Sequence, residues 1–329
     1  MTSSTFNLQP RFPRGRVLGL LMLLALIGAT ALMFGAVTLL PSDLWQLSQQ
    51  GSAKAFTFYE LRLPRVLLAV LVGAMLATAG TLVQAVIRNP LASPDILGVS
   101  HGASLAAVAC MVVFPGLAVS WLPLAALAGG VAAALLLMLL TYSELRPLRL
   151  AMTGVALAAF YASATDFLML VHPLDLNNAL LWLTGSLWGR SWPQVWVLLP
   201  WALLLIPALL LAKFLNVLVL GEEGAQALGV SVRRIRWWTL GLAVALSAAS
   251  VAVCGPLSFL ALVAPHLARQ WVGGRHQWLL PVAMLTGALL LLLADTLSRV
   301  IAPPLELPAG IFTALIGAPY FLWLLLKVR

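Results

Sequence analysis

Apolar stretches long enough to cross a lipid bilayer follow one another along almost all of this chain, with charges confined to the short segments between them. A crossing helix needs about 20 apolar residues, so 329 residues of which 9% are charged and 62% hydrophobic leave little for a soluble domain. Runs bounded by charges, Pro and Gly place about ten helices, near 16–40, 64–87, 95–114, 117–140, 149–171, 193–213, 237–254, 258–270, 278–299 and 308–326. The first run follows Arg11, Arg14 and Arg16, yet it exceeds the apolar core of a signal peptide and lacks a small-residue cleavage site. It reads as a retained helix. The expected fold is an all-α polytopic membrane protein, with a cytoplasmic segment over 1–15 and a transmembrane domain over 16–329.

Orientation follows from the basic residues. If the first helix starts in the cytoplasm, only Lys54, Arg62, Arg65, Arg190 and Arg299 of 19 Lys and Arg fall outside, as the positive-inside rule demands. Both termini are then expected in the cytoplasm, and the net charge of +9 reflects topology rather than nucleic-acid binding. Asn89-Pro90-Leu91-Ala92-Ser93 recurs in weaker form as Gly255-Pro256-Leu257-Ser258-Phe259 about half a chain later, and each copy leads into a short span. Five helices per half is an odd number, so the two halves are expected to sit inverted, with their broken segments facing protein or a water-filled path.

Motifs that carry chemistry are few. Gly98-Val99-Ser100-His101-Gly102 fits a hydrolase nucleophile pattern, but that elbow needs a strand before it, and Leu97 to Val113 reads as helix. Cys110 and Cys254 lie in apolar runs, and His172, His266 and His276 lie near span ends without partners at ligand spacing, so no catalytic or metal site is assigned. No lysine stands in a phosphate-cradling glycine loop; if ATP drives this protein, another subunit binds it. Asp295 and Arg299, four residues apart in an apolar helix, fit a structural pair at its outer end. Arg62 and Arg65 flank Leu63-Pro64 on the outside, where bulky cations suit anionic lipid, ligand or protein. Gly221 to Val230, inside the connection 214–236, sets Glu222 and Glu223 among glycines and fits either a capped interfacial helix or a docking segment.

In order along the chain stand Arg62-Leu63-Pro64-Arg65, Asn89 to Pro94 with Leu97-Gly98, Thr153 to Leu157, Trp182 to Leu187, Leu228-Gly229-Val230, Gly255 to Phe259, Pro265-His266, Ala294-Asp295 and Glu306 to Gly310. Together they resemble the permeases of ABC importers for iron-siderophore complexes and cobalamin, from about residue 60 to the C-terminus. Asp175 to Trp182, through Gly189-Arg190, is similar to the D-type permeases of ferric citrate uptake. The resemblance implies a ten-helix permease of the bacterial inner membrane, paired with a homologous permease as a heterodimer around a central path. Two cytoplasmic ATPase subunits would hold ATP and Mg, a periplasmic substrate-binding protein would deliver the cargo, and this chain would bind no cofactor. It assigns Arg62, Arg65 and Arg299 to binding-protein docking, and Gly221, Glu222, Glu223, Gly224, Ala227, Leu228 and Gly229 to ATPase coupling. Asn177, Asn178, Thr184, Ser186 and Arg190 are the polar candidates for the outer mouth of the path. The expected function is import of an iron chelate, ferric citrate or another siderophore. Cobalamin and haem are the alternative cargoes, and an ion-coupled secondary transporter or a hydrolase acting through Ser100 are the alternative classes.

Overall fold

In hydrocarbon every backbone N–H and C=O must be bonded within the protein, and helices satisfy that locally. The computed structural model describes residues 14–35, 38–40, 42–43, 52–114, 116, 118–142, 146–172, 176–303 and 305–327, and among them there is no strand. Most of the 1–15 segment, Asp175 and Arg329 lie outside the described residues. The helices are α1 (Arg14–Met33), α2 (Ala53–Phe56), α3 (Leu63–Ile87), α4 (Val99–Val113), α5 (Leu122–Leu140), α6 (Pro147–Val171), α7 (Leu176–Leu183) and α8 (Trp192–Ala202). They continue as α9 (Leu205–Leu210), α10 (Ala212–Leu218), α11 (Glu222–Ala227), α12 (Val232–Cys254), α13 (Leu260–Val272), α14 (His276–Val300) and α15 (Ala309–Lys327). Seven helical segments among the described residues are long and apolar enough to cross a membrane, and Val99–Val113 and Ala309–Leu324 are shorter apolar helices.

The ten expected spans correspond to α1, α3, α4, α5, α6, the α8–α10 series, α12, α13, α14 and α15, with differences that have physical causes. The first ends at Met33 rather than near 40. The second begins upstream of Pro64, because α2 passes through a π-helical turn, Thr57–Arg62, into α3. A wider turn accommodates the missing proline N–H and the crowding of the ring against the preceding turn. The sixth is broken into three pieces: Pro207 has no N–H for the carbonyl of Leu203, where α8 gives way to α9.

Helix pairing exchanges between the halves. The packing of α3 on α14 is matched by that of α12 on α5, α4 on α5 by α13 on α14, and α3 on α13 by α12 on α4. Close approach needs small residues: a Cβ on Gly73 would strike the Gly287 carbonyl, one on Gly287 would strike Gly73, and one on Gly80 would strike the Ala261 carbonyl. The sites lie at two opposite ends of this bundle. One end gathers the close of α1, the starts of α3 and α15, the close of α12 and the α7–α8 loop. The other gathers the starts of α1, α12 and α14 with the close of α3, and Arg16 donates there to the Trp271 carbonyl.

Gly80→Val should lower the stability of the detergent-solubilised chain by about 1–3 kcal/mol or abolish its folding, because the helices must part. Gly241, with nothing near its would-be Cβ, should tolerate alanine in the same thermal or denaturant unfolding assay.

Candidate functional site

The last turn of α1 leaves carbonyls with no helical donor. Arg62 Nη1 donates to the carbonyls of Leu32 and Met33 at 2.8 and 2.9 Å, and Arg299 Nη1 donates to that of Ala31 at 3.1 Å. Two guanidinium groups thus cap one helix C-terminus, where positive charge is favoured. Arg65 Nε donates to both Asp295 oxygens at 2.9 and 3.1 Å, and its Nη1 donates to Glu306 at 2.5 Å. Arg299 Nε lies 3.3 Å from the same Asp295 carboxylate, completing the pair expected from the four-residue spacing. Three cations and two anions therefore meet at the junction of α1, α3, α14 and the α14–α15 connection, the third cation being received by the α1 carbonyls.

This corrects one expectation. Arg62, Arg65 and Arg299 are buried, at 5%, 6% and 3% exposure, rather than standing out as free cations on the outer face. The partners of Arg62 and Arg65 lie far off in sequence, and of the two acids only Glu306 keeps an edge toward solvent, with 22% of its side chain exposed.

Beside the network opens a cavity of about 470 Å³, walled by Asn178, Ser186, Arg190 and Glu306 on its polar side and by Met111, Phe114, Trp182 and Trp188 among its apolar residues. The α7–α8 loop, which supplies Ser186, Trp188, Gly189 and Arg190 to this wall, is held at several points. Ser186 N donates to the Cys254 carbonyl at 2.7 Å and Gly310 N to the Gly185 carbonyl at 2.9 Å, tying the loop to the ends of α12 and α15. Gly185 and Gly189 take positive φ of 70° and 69°, and Gln194 Oε1 accepts from Ser191 N at 2.9 Å to cap α8. Of the five path candidates, Asn178, Ser186 and Arg190 line this cavity. Asn177 is exposed on α7, and Thr184 turns its hydroxyl to the Leu181 carbonyl at 2.7 Å.

A second cavity, of about 460 Å³, opens where the two short helices begin. Ser93, Asp95, Ser100 and His101 come from the first broken segment, Pro256, Ser258 and Phe259 from the second, and Thr165 and Asp166 from α6. Ser100 donates its hydroxyl hydrogen bond to Asp95 at 2.5 Å, so the hydroxyl is committed to a carboxylate rather than to an imidazole base. Sequence reasoning did not foresee this chamber, although both proline breaks that frame it were legible. Among the described residues no three His, Cys, Asp or Glu side chains gather to hold a metal ion.

At the other end, Gly221 to Val230 folds as the short helix α11 between Gly221 at φ 99° and Gly229 at φ 74°. Glu222 accepts from the buried Arg236 of α12 at 2.6 Å, and this hydrogen bond holds its carboxyl below the usual carboxylate range. Arg88, in the left-handed conformation at the close of α3, donates to the Leu218 carbonyl just before the segment at 3.0 Å. Ala225 faces the body, while Glu223, Ala227 and Leu228 face outward, with Leu228 62% exposed. An apolar side chain presented by a short, twice-tethered helix is suited to a partner's groove.

Known proteins share this design. The model of the FecCD transport family matches residues 21–327. The Fe(3+) dicitrate transport system permease protein FecD of Escherichia coli is 55% identical over 282 residues, covering 85% of this chain and 88% of that one. The Fe(3+)-citrate import system permease protein YfmE of Bacillus subtilis is 46% identical over 313 residues, 94% of each chain. Among solved structures, a metal-chelate type ABC transporter in an inward-facing conformation superposes with a TM-score of 0.87 at 32% identity, over 95% of this chain and 99% of that one.

Asp295→Ala would strand Arg65 and Arg299 in a low-dielectric site and should cost about 3–5 kcal/mol, read by unfolding in detergent. Replacing Asp295 and Arg65 together by leucine and methionine should cost less than the single change, because only Arg299, and not Arg65 as well, is then left buried without Asp295, while the freed Glu306 keeps an edge toward solvent.

Proposed function

We propose a cargo, partners and an orientation for this chain from the premise that it belongs to the FecCD transport family. It is the membrane-spanning permease subunit of an ABC importer of iron chelates, and it is not itself an enzyme. Our reading of the cargo is ferric citrate. The observation that carries it is the 55% identity, across 85% of the chain, to a permease named for ferric dicitrate. The polar cavity with an arginine at one end of the bundle fits that cargo's chemistry.

In this reading the end that holds Arg65, Asp295 and Glu306 faces the periplasm, and the end that holds α11 and both termini faces the cytoplasm. A homologous permease completes the path as a heterodimer, two ATPase subunits bind ATP and Mg, and a binding protein delivers the chelate. Residues 16–329 form the permease domain and 1–15 a cytoplasmic extension.

Docking then works through the buried network rather than through exposed cations. Acidic groups of the binding protein compete with Glu306 for Arg65, at the one edge where the network meets solvent, while Arg62 and Arg299 hold the end of α1 in place. Such charge complementarity sets register and on-rate more than raw affinity. At the cytoplasmic end α11, with Gly221, Glu222, Glu223, Gly224, Ala227, Leu228 and Gly229, docks in the ATPase, and its push reaches α12 through Glu222 and Arg236.

Three measurements test this. Reconstituted with its partners, the complex should take up radioactive iron as ferric citrate in an ATP-dependent way; uptake of a haem or cobalamin alone would remove the cargo. Leu228→Arg should abolish the stimulation of ATPase activity by loaded binding protein, since a charge would be forced into the docked surface. Unchanged stimulation would remove α11 from coupling. For docking, Glu306→Gln should tighten binding-protein affinity by up to about fivefold, the scale of one exposed ion pair; an unchanged or weaker affinity would end the exchange model.

A further inference from the structure

We propose that Arg190, with Asn178 and Ser186, forms a carboxylate-binding subsite at the mouth of the path, by which this chain favours carboxylate-bearing chelates over uncharged ones. The inference rests on the reading of the cargo as an iron chelate, and it adds a site within the permease itself.

The observations begin with an unmet donor. Arg190 Nε is shielded from solvent and has no hydrogen-bond partner, and among the described residues no carboxylate pairs with this guanidinium. A guanidinium always carries its charge, and Arg190 lines the cavity without a carboxylate of its own, so the arrangement favours an anion entering that cavity. An acid does share the wall. Glu306 lines the same cavity, yet its carboxylate is held by Arg65 at 2.5 Å and not by Arg190. The network beside the cavity thus neutralises the acid that would otherwise quench the arginine, leaving one uncompensated positive charge at the cavity wall.

Neighbouring groups complete an anion site. Ser186 Oγ accepts from Trp188 N at 3.0 Å, which leaves its own proton free to donate, and Asn178 offers an amide from the same wall. A guanidinium fork matches a carboxylate in two parallel hydrogen bonds, a geometry that a point charge cannot reproduce. Much of the remaining lining is apolar and aromatic, suited to the body of an organic chelate, and a volume near 470 Å³ falls within the roughly 300–1,000 Å³ of small-molecule sites. The donors are also held still. The loop between Leu183 and Trp192 is pinned by the Ser186–Cys254 and Gly310–Gly185 backbone bonds and by the cap of α8. A fixed donor set loses little on binding.

The test uses the assembled complex, permease pair with ATPases, in nanodiscs. Trp182 and Trp188 face the cavity, so their fluorescence reports its occupancy. Titration with ferric citrate, iron-free sodium citrate, sodium sulfate and an uncharged ferric hydroxamate should give saturable quenching by the two citrates. Arg190→Gln should weaken citrate binding by about 10- to 100-fold, the worth of charge-assisted hydrogen bonds, and leave the hydroxamate unchanged. Arg190→Lys should fall between. Asn178→Ala, at an exposed position that does not threaten folding, should weaken citrate by about 2- to 10-fold. Equal citrate affinity in the wild-type complex and in either the Gln or the Ala variant, absence of saturable citrate binding, or equal binding of sulfate would each overturn the subsite. The cargo reading fails separately: Arg190-dependent citrate binding without ferric citrate uptake would remove the cargo and keep the subsite. Ferric citrate uptake unchanged by Arg190→Gln would remove the subsite and keep the cargo.

Discussion

A chain in hydrocarbon has no water to bond its backbone, so any interruption of a helix at depth must find partners inside the protein. Besides the three-piece span α8–α10, this chain breaks between α3 and α4 and between α12 and α13, and its cavities answer to those two breaks. The first is closed by local turns, with Ala92 N bonded to the Asn89 carbonyl and Gly98 N to that of Asp95. The second borrows from elsewhere: the Cys254 carbonyl accepts from Ser186, in a loop brought there from the middle of the sequence. Backbone can approach backbone that closely only without side chains. A Cβ on Gly255 would strike the Trp182 carbonyl, and one on Gly310 would strike that of Thr184. The wall of the cavity that Arg190 lines is therefore a by-product of satisfying a broken helix.

The same economy governs charge. Few ionisable groups enter the spans, and those near the close of α1 sit where a helix end or an opposite charge receives them. Arg62 and Arg299 meet the unpaired carbonyls at the close of α1; Arg65 meets Asp295 and Glu306. Buried ion pairs of this kind add little net stability compared with apolar packing, but losing one partner is expensive. The network is thus a device of position, fixing α1, α3, α14 and the α14–α15 connection in one register and keeping Glu306 away from Arg190.

Much of the architecture was legible in sequence, because lipid reduces the problem to finding apolar runs. All ten spans lie where hydrophobicity placed them, and the two proline-bearing breaks mark the starts of the two short helices. What could not be read depends on tertiary partners. Pro64 looked like a helix start, since nothing local announces the π-helical turn that lets the helix pass it. Arg62 and Arg65 looked exposed because their acceptors are either backbone carbonyls, which carry no sequence signature, or acids about 230 to 240 residues away from Arg65, whereas the Asp295–Arg299 pair was legible from its spacing. The glycine-bracketed helix α11 was readable from its composition, but its bond to Arg236 was not, as several nearby arginines would have served equally. Arg190 stood out as a polar exception; that its neighbouring acid is already occupied emerged only from geometry.

The two functional ends are joined by rigid elements rather than by loops. Helix α12 begins beside Arg236, which grips α11 through Glu222, and ends at Cys254, whose carbonyl holds the Arg190 loop. Helix α3 begins with Arg65 in the outer network and ends at Arg88, bonded to the residue chain just ahead of α11. Both are among the most deeply packed helices of the bundle, with small residues at their contacts and little free volume to absorb displacement. A rotation imposed on α11 would therefore meet α12 and α3 as levers whose far ends frame the outer cavity, and it would move the charge network and the Arg190 loop together. In such an arrangement the cavity needs only a modest hold on its cargo: a single guanidinium on a loop anchored to α12 shifts whenever that helix shifts, so release can be coupled to the same motion that reorients the path.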